Sequence, residues 1–310
     1  MNLMKPIYVF LGLLIWLQSP AQDFIPLWPA GKKPNNNGVK IADSLANERI
    51  WKVATPGMYA FPAPQSDNNG TAVLICPGGG YQRLSHIYNG FQVARWFNTH
   101  GINAYVLIYR LPHQADLREA AIAPIQDAQR AIKIIHANAA QWKINPQRIG
   151  VMGTSAGGHV ASSLGTFTAD VSSIKDSLDT ISHRPDFMLL LSPVISMGKY
   201  AHPGSKKNLL GGDTVNNTMI EKYSNELHVS AFTPPTFMVH AVNDKTVSVH
   251  NSLLFYNALI ENNINASLHT FPQGGHGIRM TDNPGSTNFW LDLMEAWLKE
   301  MGFVVPIPFK

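Results

Sequence analysis

The chain has a single cysteine, Cys76, among its 310 residues, so no intramolecular disulfide can brace it and its stability must come from its core. Charge is sparse too: 14% of the residues are Asp, Glu, Lys or Arg, and the formal net charge is only +4. No run of Lys or Arg is present to track a phosphate backbone, which argues against a nucleic-acid partner. The twelve histidines show no spacing of the H-E-x-x-H kind, so neither a metal nor any other cofactor is implied. No apolar stretch reaches the roughly 20 residues of a membrane-spanning helix, and no stable membrane anchor is expected. Apolar side chains, by contrast, are plentiful at 45%, enough for one large globular α/β domain.

The N-terminus follows different rules. "MNLMK" is a short basic segment, "PIYVFLGLLIWL" (6–17) is apolar, and "QSPA" places small Ser19 and Ala21 ahead of Gln22. This layout reads as a signal peptide over 1–21, which implies a secreted or periplasmic protein; the alternative is a buried N-terminal helix. The mature chain, 22–310, then forms one domain.

Residues 22–70 are rich in Pro, Asn and Gly and read as an irregular lead-in with one or two strands. From 71 onward, apolar strands alternate with helices. "TAVLICPG", "INAYVLIYRL", "RIGVMG", "DFMLLLSPVI", "PTFMVHAVND" and "ASLHTFPQ" read as strands. "GFQVARWFNTHG", 124–142, "AGGHVASSLGTF", "NSLLFYNALIENN" and "TNFWLDLMEAWLKEMGF" read as helices. Continuous apolar strands separated by helices predict a mostly parallel central sheet with helices on both faces. Residues 196–230 interrupt the rhythm as a small insertion that carries Lys199, Tyr200, His202, Lys206 and Lys207.

Gly153-Thr154-Ser155-Ala156-Gly157 matches G-x-S-x-G, with a strand before it and a helix after it. Glycine on each side of the serine suits a sharp strand-to-helix turn, and the helix N-terminus favours developing negative charge. Ser155 also reads as a plain helix N-cap. A serine nucleophile needs a base, and the base needs a carboxylate to orient it. Asp244 ends the strand "FMVHAVND", and His276 stands in "FPQGGHG" after the last strand, in the chain order Ser, Asp, His. Both loops leave the carboxyl edge of the sheet, where open α/β sheets place their sites.

Other residues compete less well. His159 follows Ser155 by four positions on a rigid helix and is expected to pack rather than act as the base. His240 and His269 fall mid-strand, and Asp213 and Asp282 follow no apolar strand. "CPGGGY" closes the first core strand, so the N–H groups of Gly79 and Gly80, together with that of Ala156, are the candidate oxyanion donors. Tyr81, His86 and Tyr88 follow this loop and are expected on the substrate-binding rim.

"CPGGGY", "INPQRIGVMGTSAGGHVAS", "VNDKTV" and "GGHG", in register over about 70–305, resemble the α/β-hydrolase superfamily. Within it they are similar to secreted bacterial carbohydrate esterases of the acetyl xylan esterase kind, some of which carry an endoxylanase name. Pro77 departs from that superfamily's lipase-type H-G-G-G, where a histidine precedes the glycines. The resemblance implies an α/β-hydrolase fold with Ser155 as nucleophile, His276 as base and Asp244 as its orienter. It also implies an acetylated carbohydrate or another small ester as substrate. A small amidase, formamidase or peptidase would use the same groups, and a non-catalytic carbohydrate-binding protein is the reading from another class.

Overall fold

The computed structural model describes residues 23–212 and 215–305. The proposed signal peptide over 1–21 and Asp213 lie outside the described residues.

Among the described residues, ten strands and seven α-helices follow one another. The strands are β1 (Phe24–Pro26), β2 (Ser44–Ala46), β3 (Arg49–Lys52), β4 (Gly57–Phe61), β5 (Ala72–Cys76), β6 (Asn103–Ile108), β7 (Ile149–Thr154), β8 (Met188–Leu191), β9 (Thr236–Ala241) and β10 (Ala266–Phe271). The helices are α1 (Gln92–Thr99), α2 (Ala123–Ala137), α3 (Ala156–Thr166), α4 (Pro203–Leu210), α5 (Asn217–Lys222), α6 (His250–Glu261) and α7 (Trp290–Glu300).

Eight strands form the main sheet in the order β1-β4-β6-β5-β7-β8-β9-β10. From β6 to β10 all neighbours are parallel, whereas β4 and β1 add to the far edge in antiparallel register. This is the α/β-hydrolase fold. Strand alternation divides the core into two layers. Val73, Ile75, Met152, Leu189 and Val239 face α1 and α7. Leu74, Val151, Leu190 and Met238 face α2, α3 and α6.

The lead-in holds four strands rather than one or two. None exceeds five residues, and most of their side chains stay partly exposed, so no buried apolar run announced them. β2 and β3 pair into a separate hairpin. α2 also stops earlier than expected: the Asn138 side chain donates to the Ile134 carbonyl at 2.8 Å and the chain turns away. The insertion contributes α4 and α5 between β8 and β9, above the carboxyl edge of the sheet.

Candidate active site

The loops after β5, β7, β9 and β10 converge at that edge, beside the point where strand order reverses around β5. Ser155 is the residue between β7 and α3, at φ 56° and ψ −123°, a conformation that costs a non-glycine residue about 1–3 kcal/mol. Hydrogen bonds from the Ser155 N–H to the Leu191 carbonyl (3.1 Å) and from the Val194 N–H to the Ser155 carbonyl (3.0 Å) hold it there. The turn is possible because α3 starts against bare backbone. A Cβ on Gly157 would lie 2.0 Å from the Cys76 carbonyl oxygen, and one on Gly153 would lie 2.2 Å from that of Gly157.

The Ser155 side chain does not cap α3. Its Oγ lies 2.9 Å from His276 Nε2, and His276 Nδ1 lies 2.7 Å from Asp244 Oδ2. An ionised carboxylate can only accept, so Nδ1 carries the proton and Nε2 is left to accept from the serine hydroxyl. Asp244 Oδ1 accepts the N–H groups of Thr246 (2.8 Å) and Val247 (3.0 Å), while His240 approaches Oδ2 at 3.3 Å. Burial alone would raise the Asp244 carboxyl, but hydrogen bonds from His240, His276 and Val247 outweigh it and hold it well below the ordinary carboxylate range. Asp244 therefore stays charged behind an imidazole fixed in one tautomer. The structure thus brings together the three side chains the sequence singled out.

His240 is the member that sequence reasoning left in the core. It is buried, and its Nδ1 accepts from the Ser252 hydroxyl at 2.8 Å, which turns Nε2–H toward the Val247 carbonyl and Asp244. The available signal was its place one strand-to-turn step before "NDKTV". His159 packs, as expected. It is fully buried, its Nε2–H donates to the Tyr223 carbonyl and its Nδ1 accepts from the Tyr81 hydroxyl, both at 2.7 Å. Neither ring nitrogen is left for Ser155.

Gly79 and Gly80 border the cavity in front of Ser155, and among the described residues nothing accepts from their N–H groups. At Gly79, φ is 140° and a Cβ would lie 2.0 Å from the Arg83 carbonyl oxygen, so the loop cannot carry a side chain there. The Ala156 N–H opens α3, where no intrahelical acceptor can reach it. Asn208 of α4 donates to the Gly80 carbonyl at 2.7 Å and so ties the insertion to this loop.

Of the three expected rim residues, only Tyr88 lines the cavity. Tyr81 and His86 are corrections. Tyr81 takes φ 60°, which swings its ring into the core against Tyr109 and His159 and leaves it 1% exposed. His86 is buried edge-on to Phe91 and borders a different hollow, with Phe24, Leu45, Ile50 and Tyr59. Within the insertion, His202, one of the polar groups that the sequence singled out there, lines the cavity. Its Nδ1 accepts the Ser205 N–H at 3.2 Å as the N-cap of α4, so a neutral His202 carries its proton on Nε2. Burial and the neighbouring His276 lower its affinity for a second proton. The cavity holds about 410 Å³.

The BD-FAE family model matches residues 60–259. The chain belongs to the BD-FAE family. Among this member's relatives, the endo-1,4-beta-xylanase B of Butyrivibrio fibrisolvens is 35% identical over 231 residues, 74% of this chain and 35% of that protein. The acetylxylan esterase of Xylanibacter ruminicola is 35% identical over 213 residues, 67% of this chain and 41% of that protein. The chain thus spans well under half the length of either curated relative. The crystal structure of an acetyl ester-xyloside bifunctional hydrolase from Caldicellulosiruptor lactoaceticus superposes with a TM-score of 0.79 at 35% identity, covering 92% of this chain and 98% of that one. Esterase Est2 of Thermogutta terrifontis shares the fold, with a TM-score of 0.71 at 22% identity over 94% of this chain and 96% of that one.

Proposed function

We propose that this chain is an exported serine esterase that removes short acyl groups, acetyl above all, from carbohydrates such as acetylated xylan. The observation that carries the reading is the relay from Ser155 Oγ through His276 to Asp244, at 2.9 and 2.7 Å, opening on a cavity edged by uncommitted backbone N–H groups. The names of the 35%-identical relatives support the choice of acyl group and polymer. Export rests on the N-terminal sequence pattern over 1–21.

In this reading Ser155 Oγ attacks the ester carbonyl carbon while His276 Nε2 takes the hydroxyl proton. The imidazolium formed is stabilised by Asp244, whose charge does not depend on pH near neutrality. The carbonyl oxygen becomes an oxyanion that accepts from the N–H groups of Gly79 or Gly80 and of Ala156. His276 then protonates the departing sugar alkoxide, which leaves an acetyl group on Ser155. Water repeats the sequence, releasing acetate and restoring the serine. His202 Nε2–H, a donor on the same cavity wall, suits a sugar hydroxyl or ring oxygen.

Acetate release from acetylated xylan by the mature protein, beginning at Gln22, tests the proposal. Ser155→Ala and His276→Ala should each lower kcat by about 10³-fold or more, and Asp244→Asn by somewhat less, because the three act as a unit. Near-full turnover by Ser155→Ala sinks the mechanism. Hydrolysis of amides or peptides without any esterase activity moves the assignment to that chemistry.

A further inference from the structure

The cavity in front of Ser155 is a one-sided electrostatic environment. Among the described residues no Asp or Glu lines it, whereas Arg83 does. The Asp244 carboxylate sits behind His276 and is taken up by that ring, His240 and two backbone N–H groups. Arg83 therefore brings an uncompensated positive charge to the wall.

An arginine on a surface normally finds a carboxylate or water; this one is held differently. Its guanidinium rests 5.2 Å over the Trp51 ring, and Nη1 donates to Gln82 Oε1 at 3.1 Å. Nε is buried with no acceptor, and Nη2 donates to no described residue. No Asp or Glu oxygen lies within salt-bridge distance of it among the described residues. The support is built rather than incidental. Ile50 and Leu84 exchange backbone hydrogen bonds at 3.1 and 2.8 Å, clamping β3, which carries Trp51, to the loop that carries Arg83. The lead-in hairpin thus fixes a guanidinium at the mouth of the cavity with part of its planar fork unspent. A carboxylate is the group that matches such a fork in both charge and shape.

We propose that Arg83 forms a carboxylate-binding subsite, so that preferred ester substrates carry an acid group close to the scissile bond. This rests on the esterase reading for its role in substrate choice, but not for binding itself. The acid could belong to the sugar, as in a uronate next to the acylated residue, or to the acyl group, as in a dicarboxylic half-ester.

Binding to the Ser155→Ala protein, followed by amide chemical-shift titration, separates these sources and needs no turnover. Sodium D-glucuronate is compared with D-glucose, and sodium monomethyl succinate with methyl butyrate. One of the two acids should bind at least tenfold more tightly than its neutral counterpart, with shifts over 79–88, and which one it is identifies the source. Adding Arg83→Gln should bring that ratio to within twofold of one, and Arg83→Lys should restore part of it. If Arg83→Gln does not fold, the Lys variant and loss of the preference in about 0.5 M salt, where exposed charges are screened within a few ångströms, provide the reading. A ratio near one in the Ser155→Ala protein, or a ratio unchanged by the Arg83 variants and by salt, overturns the proposal. A positive result in a protein that hydrolyses no ester would instead overturn the proposed function and leave this subsite standing.

Discussion

His159 shows how a single side chain can fix the protein's response to acid. Both ring nitrogens are committed inside the fold, one to the Tyr223 carbonyl and one to the Tyr81 hydroxyl, and burial lowers its pKa from 6.5 to about 4. The unfolded chain therefore binds a proton at this position between pH 6.5 and about 4 that the folded chain does not. The folded-state pKa is depressed for a base, so the stability contribution is present above pH 6.5 and is lost as pH falls toward 4, by roughly 3 kcal/mol in all. Urea unfolding at pH 7 and at pH 4.5 should reveal this as a drop in midpoint. His159→Gln should be less stable at pH 7 yet lose less on acidification, and an equal loss in both proteins would place the acid sensitivity elsewhere. At this scale the meeting of Ser155, His276 and Asp244 was legible, because each follows a strand and the carboxyl edge gathers such loops. Tyr81 and His86 were not, because proximity to the oxyanion loop in sequence says nothing of direction. One left-handed residue at Tyr81 turns its ring inward, and the short helical turn Ile87–Phe91 buries His86.

At the scale of elements, α2 departs most from what its sequence suggests. Its apolar spacing implies one wet face, yet Gln126, Asp127, Gln129, Arg130 and Lys133 are all buried. The reason lies in segments with no periodicity to read. Trp28 of the lead-in donates from Nε1 to Asp127 at 2.8 Å, and Arg130 meets Asp176 at 2.6 Å in the stretch after α3. Arg110, just past β6, forks onto Asp127 with both side chains fully buried. A charge pair at that depth is expensive to halve. Asp127→Ala should cost about 3–5 kcal/mol of unfolding free energy, since it strands the guanidinium, whereas Arg110→Met with Asp127→Leu should cost less than the single change. Denaturant titration of the three proteins measures both. A double variant worse than Asp127→Ala would mean that the pair adds more than its own desolvation penalty. The long parallel strands were legible from their apolar runs, but the helix's buried polar face depends on partners such as Arg110, Asp176 and Trp28, which lie 17, 46 and 99 residues away and which local patterning does not encode.

At the scale of the whole molecule, the cavity's wall decides which acyl chains profit from it. Among the described residues, its side chains are Gln82, Arg83, Ser85, Tyr88, Asn89, Thr154, His202, Asn208 and Thr246 around Ser155 and His276, with no Leu, Ile, Val or Phe. The insertion over 196–230 adds α4 to this wall, through His202, Gly204 and Asn208, rather than a large apolar lid. Each methylene taken from water into an apolar pocket gains about 0.8 kcal/mol, but a chain laid along amides and a guanidinium gains little of that and displaces their water. Among the described residues, a smaller nook shares Tyr88, Asn89 and Thr154 with the cavity, is bordered by Val93, Leu191, Ile278 and Met280, and has a free volume of about 10 Å³, the size of one water. A space of that size has no room for an alkyl tail. Acetyl esters should therefore exceed octanoyl esters of the same alcohol by at least tenfold in kcat/KM, about 1.4 kcal/mol of transition-state discrimination. Ile278→Ala, which widens the nook, should narrow the ratio by accelerating propionyl and butyryl esters over acetyl. Steady-state rates across a series of aryl esters with increasing acyl length would show both effects. Equal rates for acetyl and octanoyl esters would mean the tail leaves the cavity by a route other than this nook. A steep acetyl preference unchanged by Ile278→Ala would place the acyl group against the oxyanion loop, beside Tyr88 and Asn89, instead.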